Sequence, residues 1–248
     1  MNIALIGYGK MGHELARLAK ERGMTVSAII DPTAQAATHT TVSADALAHA
    51  DVAIDFSVPD AVADHVRSAA DIGKNMVVGT TGWYDSLEEV KKTVQEHNIG
   101  CIYSPNFSLG VNLFFTITEK AAQLFDKVSD YDAFVYEGHH NKKIDSPSGT
   151  AKALGDLLIK NIERKKKPVF DRLDRRILPE ELHIASFRAG YIPGTHVVGF
   201  DSEADTIELT HTARSRAGFA LGALLAAQWI RNKRGFYTMQ DFMGDFFT

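Results

Sequence analysis

Over the first ~105 residues, short apolar runs alternate with stretches whose apolar positions recur every three or four residues. Residues 3–6 read as a strand, which leads through Gly7 to Gly12 into a helix carrying Leu15, Leu18 and Ala19 on one face and closed by Gly23. Residues 26–30 read as a second strand ending at Asp31 and Pro32, and residues 52–56 as a third ending in Asp55-Phe56-Ser57. Pro59 opens a helix that reaches Ala70 and stops at Gly73. Residues 76–78 form a fourth strand, running into Gly79, Thr80, Thr81 and Gly82. Ser86-Leu87-Glu88-Glu89 predicts a capping box for a helix to His97. Residues 100–103 form a fifth strand, ending in Ser104, Pro105, Asn106 and Phe107. This alternation predicts a parallel sheet with helices on both faces, which binds ligands at the carboxyl ends of its strands.

Beyond residue 108 the pattern changes. Residues 110–125 read as an apolar helix and residues 131–136 as a strand. After Ser146-Pro147-Ser148, the residues Ala153, Leu154, Leu157, Leu158 and Ile162 recur at helical spacing, predicting a helix to Arg164. Arg164-Lys165-Lys166-Lys167 reads as a solvated helix end and linker. Residues 183–188, 195–200 and 206–213 alternate apolar with polar, with turns between them. They predict an antiparallel meander, which with residues 131–136 makes a mixed sheet. Residues 218–230 form a last apolar helix, in which Gly222, Ala223, Ala226 and Ala227 permit close packing, and residues 239–243 are helix-like.

Composition narrows the function without naming it. The 248 residues are 45% hydrophobic and 23% charged, as in a globular protein of one large or two smaller domains. A net charge of −4 argues against nucleic acid as a partner. No apolar run approaches the ~18 residues of a spanning helix, and no leader pattern is seen at the start, so no membrane is expected. The single cysteine, Cys101, reads as a buried strand residue and fits a reducing compartment; a cytoplasmic location is expected.

Gly7-x-Gly9-x-x-Gly12 sits between a strand and a helix, and Asp31 ends the next strand. A structural turn beside a surface aspartate would look similar. Placed in this context, however, the glycines let backbone approach a pyrophosphate and Asp31 can accept from a ribose, so a Rossmann-type dinucleotide domain is expected. Gly7, Tyr8, Gly9, Lys10, Met11, Gly12 and Asp31 are its candidate contacts. Asp31 favours NAD, because a carboxylate repels a 2′-phosphate, while Lys10 leaves NADP open.

The densest chemistry is Gly138-His139-His140-Asn141-Lys142-Lys143-Ile144-Asp145-Ser146-Pro147-Ser148-Gly149-Thr150. Ser146 or Ser148 can cap the following helix, and Pro147 suits its first turn. The N–H groups of Ser148, Gly149 and Thr150 then suit an anion, and the imidazoles a proton exchange near neutrality. Close cations are expected to lower the His139 and Lys143 pKa values. A solvated basic loop is the bland alternative. None of the seven tyrosines precedes a lysine by four residues, which disfavours the short-chain dehydrogenase pair. No ligand cluster is evident, so no metal is expected, and His183, His196 and His211 read as half-buried sheet residues.

Along essentially the whole chain the motifs resemble the dihydrodipicolinate reductase family. They are Gly7 to Gly12, Asp55-Phe56-Ser57, Gly79-Thr80-Thr81-Gly82, Asn106-Phe107-Ser108-x-Gly110-Val111-Asn112, Arg188-x-Gly190, and the segment from Glu137 to Ala151 with its His139-His140-x-x-Lys143 core. The resemblance implies NADH- or NADPH-dependent reduction of a small cyclic dicarboxylate, 4-hydroxy-tetrahydrodipicolinate, by hydride transfer to ring carbon C4. It implies His139 as general acid/base and Lys143 as proton donor. His140, Gly149 and Thr150 would bind substrate; Gly79, Thr80, Thr81, Ser104, Pro105, Asn106 and Phe107 would line the nicotinamide. Asp145 is expected to orient the loop or pair with a lysine. The implied build is a dinucleotide domain of residues 1–107 plus 217–248, with an inserted α+β substrate and oligomerisation domain, residues 108–216, that assembles a homotetramer. Reductases acting on other amino-acid-like substrates lack the His-His segment, and a non-catalytic dinucleotide sensor would need a further binding module.

Overall fold

In the computed structural model, which describes residues 1–170 and 172–246, the chain forms two compact units, Met1–Leu109 with Arg216–Thr248, and Gly110–Ser215.

The first unit is a doubly wound parallel sheet. Strands β1 (Asn2–Ile6), β2 (Thr25–Ile30), β3 (Val52–Asp55), β4 (Asn75–Val78) and β5 (Gly100–Tyr103) alternate with helices α1 (Lys10–Glu21), α2 (Ala44–Leu47), α3 (Val62–Ala70) and α4 (Leu87–Glu96). Short, wholly buried strands such as Val52–Asp55 suit a sheet covered on both faces. Ile3, Leu5, Ile54 and Val77 pack with Leu15 and Ala19 on one side; Ala4, Ile6, Ala53 and Met76 pack with Val66 and Val90 on the other. Each Val, Leu, Ile or Met side chain among these contributes roughly 1.5–3 kcal/mol by leaving water.

Two departures from the sequence pattern occur here. Ser86 makes no side-chain cap: a 3₁₀ turn, Tyr84–Ser86, feeds α4, and Ser86 (φ −95°, ψ 9°) is not extended as a capping residue must be. Pro59 likewise starts a 3₁₀ turn, Pro59–Ala61, ahead of α3.

The second unit opens with α5 (Leu109–Phe125), then β6 (Asp132–His139), α6 (Gly149–Asn161), β7 (Lys167–Val169), β8 (Glu181–Arg188), β9 (Thr195–Asp201) and β10 (Thr206–Thr212). Its sheet runs β10-β9-β6-β8-β7, so the sheet is mixed but not a meander. Strand β6 inserts between β8 and β9, parallel to the first and antiparallel to the second. Local alternation identifies strands but cannot choose their neighbours. One face packs Val135, Ile184, Val198 and Phe200 against Leu154 and Leu158 of α6.

The basic run at 164–167 is solvated only in part: Lys166 and Lys167 are exposed, but Arg164 is half-buried and Lys165 is buried. Lys165 is 1% exposed, donates to the Glu181 carbonyl at 2.7 Å and pairs with Asp132. Arg164 donates to the carbonyls of Phe125, Asp126 and Tyr131. A long side chain can carry its charge to a buried acceptor while its stem packs, so a charge run need not be a wet face.

The chain then returns to the first unit. Helix α7 (Ala217–Ile230) is followed by β11 (Gly235–Thr238) and α8 (Met239–Phe246). Strand β11 has no marked apolar signature yet adds a sixth strand beside β5, giving the order β11-β5-β4-β3-β1-β2. Gly222 lies so close to the chain that a Cβ there would meet the Phe107 carbonyl oxygen at 1.8 Å, the close packing its small residues allow.

Candidate active site

In the first unit the site is made largely of backbone. Gly7 turns at φ +86°, and a Cβ on it would lie 2.3 Å from the Phe56 carbonyl oxygen. A Cβ on Gly12 would meet the Gly7 carbonyl oxygen at 2.4 Å, whereas one on Gly9 would meet nothing within 4 Å. The second glycine therefore faces open space, where a ligand can approach. Gly9 caps α1 without a side-chain bond, so the first-turn amides of Lys10, Met11 and Gly12 present the positive end of the helix with no side-chain cap on them.

Asp31 braces this turn. One oxygen accepts the Tyr8 N–H at 2.8 Å; the other accepts the Thr33 N–H at 2.8 Å, the Thr33 hydroxyl at 3.0 Å and the Ala34 N–H at 2.9 Å. These amide bonds, Tyr8 first, hold its carboxyl down at about 2. A cavity of about 760 Å³ opens here, lined by Gly7, Gly9, Asp31, Thr41, Phe56 and His65 among others.

The remaining strand ends present backbone more than side chains. Gly79 lies under the Phe56 ring, where a Cβ would come within 2.1 Å. Thr80 and Ser104 are buried, Thr80 donating to Asp55 at 2.8 Å and Ser104 to the Asn106 carbonyl at 2.9 Å. Phe107 is buried, while Thr81 and Pro105 are exposed.

In the second unit the site is made of side chains. Period-two alternation places Glu137 and His139 on one face of β6, and register adds Arg188, opposite His139, and His196, opposite Glu137. Glu137 is fully buried. It contacts His139 Nδ1 through Oε2, and its Oε1 accepts from Arg188 at 2.9 Å and from the Ser148 N–H at 3.2 Å. Burial alone would raise the Glu137 carboxyl; Arg188, the Ser186 hydroxyl, His139 and the Ser148 N–H outweigh it and hold it below its ordinary value. His139 is lowered chiefly by burial, with Lys143 and Arg188 adding and Glu137 opposing. Desolvation, not crowding by cations, is thus the larger cause for His139.

Ser148, not Ser146, caps α6: its hydroxyl accepts the Ala151 N–H at 3.2 Å. Pro147 lies before the cap instead of inside the first turn, and the Ser148 N–H is spent on Glu137. Gly149 and Thr150 therefore carry the first-turn amides of the cradle. His140 follows the strand end, with a buried Nδ1 that has no protein partner. Lys143 pairs with Asp145 at 2.7 Å, the pairing expected for that carboxylate.

His196 departs from expectation. It is buried, shares a 3.1 Å hydrogen bond with the Ser148 hydroxyl and packs edge-on to the His139 ring at 5.1 Å. Burial, then the His139 charge, pushes it down to about 4. Glu137, His139 and His196 bring three donor atoms within 4.8 Å of one another, a grouping the sequence did not reveal. The Arg188 guanidinium already supplies a positive partner to Glu137 there. Glu137 could have been found from its i, i+2 spacing to His139 on a strand; His196 could not, because only strand pairing brings it in.

A helix-borne anion site on a doubly wound sheet, together with a buried imidazole–carboxylate pair beside a second anion cradle, is the equipment of a dinucleotide-dependent oxidoreductase. Residues 1–107 match the family model for the dihydrodipicolinate reductase N-terminus, and residues 110–243 that for its C-terminus. A 4-hydroxy-tetrahydrodipicolinate reductase of Christiangramia forsetii is 38% identical over 247 residues, covering 100% of this chain and 99% of the relative. One from Staphylococcus aureus is 38% identical over 250 residues, covering 97% and 100%. Among solved structures, dipicolinate-bound dihydrodipicolinate reductase from Paenisporosarcina sp. TG-14 shares the fold with a TM-score of 0.79 at 22% identity, covering 97% of this chain and 98% of that one. The chain belongs to the dihydrodipicolinate reductase family, and it is an NAD(P)H-dependent oxidoreductase.

Proposed function

We propose that this chain reduces 4-hydroxy-tetrahydrodipicolinate to tetrahydrodipicolinate, in the diaminopimelate route to lysine, with NADH or NADPH as reductant. The observation that carries the reading is the Glu137–His139 pair set beside the open first turn of α6. It joins a proton-exchanging group to a cradle for a carboxylate.

The amides of Gly149 and Thr150 take one carboxylate of the cyclic dicarboxylate, and His140 and Lys143 flank it. His139 acts as general acid/base and Lys143 as proton donor, a contribution of roughly 10²–10⁴-fold for acid catalysis of this kind. In the dinucleotide domain, residues 1–107 plus 217–248, the turn from Gly7 through Tyr8 and Gly9 to Lys10, Met11 and Gly12 takes the pyrophosphate. Asp31 takes a ribose hydroxyl. Gly79, Thr80, Thr81, Ser104, Pro105, Asn106 and Phe107 line the nicotinamide end. When bound, the reduced nicotinamide supplies the hydride; the chain's own residues hold the substrate and deliver the proton.

Residues 108–216 form the substrate and assembly domain of a homotetramer. The sheet face away from α6 supports this: it carries Phe134 stacked on Tyr136 at 6.3 Å and Phe187 at 49% exposure. We place the enzyme in the cytoplasm, where a thiol such as buried Cys101 stays reduced.

The test supplies the product of the preceding synthase, made from pyruvate and aspartate semialdehyde, and follows each reduced nicotinamide separately. Oxidation of NADH or NADPH only when that product is present supports the reading; oxidation of neither overturns it. Light scattering of the same sample reports the subunit number.

A further inference from the structure

We propose that Glu137 is a positioning residue that dictates which nitrogen of His139 carries the proton. Its two oxygens face different partners. Oε1 is held by two donors, Arg188 Nη2 at 2.9 Å and the Ser148 N–H at 3.2 Å, which leaves Oε2 for His139 Nδ1. An ionised carboxylate only accepts, so Nδ1 must donate and the neutral ring keeps its lone pair on Nε2. Nε2 is then the atom that exchanges a proton with substrate. It lies on the side of Gly194, where a Cβ would stand 3.0 Å away. The same clamp reaches the second proton-handling group: Arg188 also donates to the Asp145 carbonyl, and the Asp145 carboxylate pairs with Lys143 at 2.7 Å. Glu137 thus ties the acid/base, the α6 cap and the lysine loop to one buried point.

The charged groups around His139 are Glu137 on its own strand, Lys143 and Asp145 on the following loop, Arg188 on β8 and His196 on β9, with His211 of β10 acting on His196. Of these only Glu137 bonds to the ring.

This inference rests on His139 being the acid/base, and the experiment separates the two. In Glu137→Gln the donors at Oε1 require the amide oxygen there, which turns the NH₂ toward Nδ1. Nδ1 must then accept, Nε2 takes the hydrogen, and the imidazolium loses its partner. A carboxylate-to-amide change of this type in serine proteases costs roughly 10⁴ in kcat through the wrong tautomer.

We expect kcat to fall by 10²–10⁴-fold, NADH affinity to stay within about twofold, and Glu137→Asp to recover part of the rate. The pH limb assigned to His139 moves to lower pH in Glu137→Gln. Nitrogen-15 spectra should show Nδ1–H in the neutral wild-type ring and Nε2–H in the variant. If His139→Gln retains full turnover, the acid/base assignment falls and this inference with it. If His139→Gln is inactive while Glu137→Gln keeps the wild-type rate, pH limb and tautomer, only the positioning role is overturned. Should Glu137→Gln not fold, the wild-type spectrum decides alone: Nδ1–H supports the proposal, and Nε2–H overturns it.

Discussion

The two sites are built from different materials. At the Gly7 turn the contacts are mostly main-chain, drawn from six consecutive residues plus one aspartate. At His139 they are side chains from β6, β8, β9 and the α6 cap, spread over 51 residues between Glu137 and Arg188 alone. A backbone site needs glycine and a helix start, and tolerates most side chains around it. A side-chain site needs each residue type, placed by strand pairing. Substitutions should therefore do opposite things in the two units.

The largest expected contrast is kinetic. His139→Gln and Lys143→Ala each lower kcat by roughly 10²–10⁴-fold while leaving NADH affinity, read by fluorescence titration, near wild type. If NADH affinity collapses in either variant, the separation of roles fails.

Next is a pH effect confined to the second unit. His196 is held at about 4, below the ordinary imidazole value of 6.5. A histidine with a depressed folded pKa contributes stability that is complete above 6.5 and is lost as pH falls toward 4, because the unfolded chain takes the proton first. The loss is on the order of 3 kcal/mol. Urea denaturation at a series of pH values should show it, and His196→Gln should flatten the slope between those limits. An unchanged slope would exclude His196 as the cause.

A pair of glycines sharpens the comparison further. Gly7→Ala forces a side chain into φ +86° and against Phe56, so it weakens NADH binding. Gly194→Ala forces one into φ +143° and against His139 Nε2, so it lowers kcat with NADH binding intact. Each carries strain of about 1–3 kcal/mol, measurable as a lower Tm. Equal effects of both on binding would blur the distinction.

The smallest effect is shared. Asp31 and Glu181 are both held at about 2, by amide bonds from Tyr8 in the first case and by Arg175 in the second. Depressed carboxylates stabilise above their ordinary values, so both contributions persist at pH 5 and disappear as pH falls from about 4 to about 2. Asp31→Asn and Glu181→Gln should each reduce the steepness of acid unfolding in that window, followed by circular dichroism.

What was legible in the sequence is what depends on neighbours in the chain. The strand–turn–helix around Gly7 is such a case: the glycines that the motif supplies are the ones that make the turn and open the helix start. The start of α6 was readable for the same reason, since a helix start is local, although the choice of Ser148 over Ser146 as its cap, and the loss of the Ser148 N–H to Glu137, were not. Even there, a local signal misled when a nearby partner competed. Ser86 looked like a cap until the 3₁₀ turn before it coiled the backbone past the capping geometry. The residues 164–167 looked solvated because composition cannot show that Lys165 reaches Glu181.

Tertiary structure alone decided the rest. The insertion of β6 between β8 and β9 brings Arg188 and His196 to His139, and nothing in the alternation of those strands encodes their order. Alternation specifies a face, because successive side chains point to opposite sides of a strand. Pairing specifies a neighbour, because it depends on which edges the whole chain can bring together and desolvate. The chain's own order therefore determined that a dinucleotide turn and a His-His segment exist, and folding determined that Arg188 and His196 join Glu137 around the His139 imidazole.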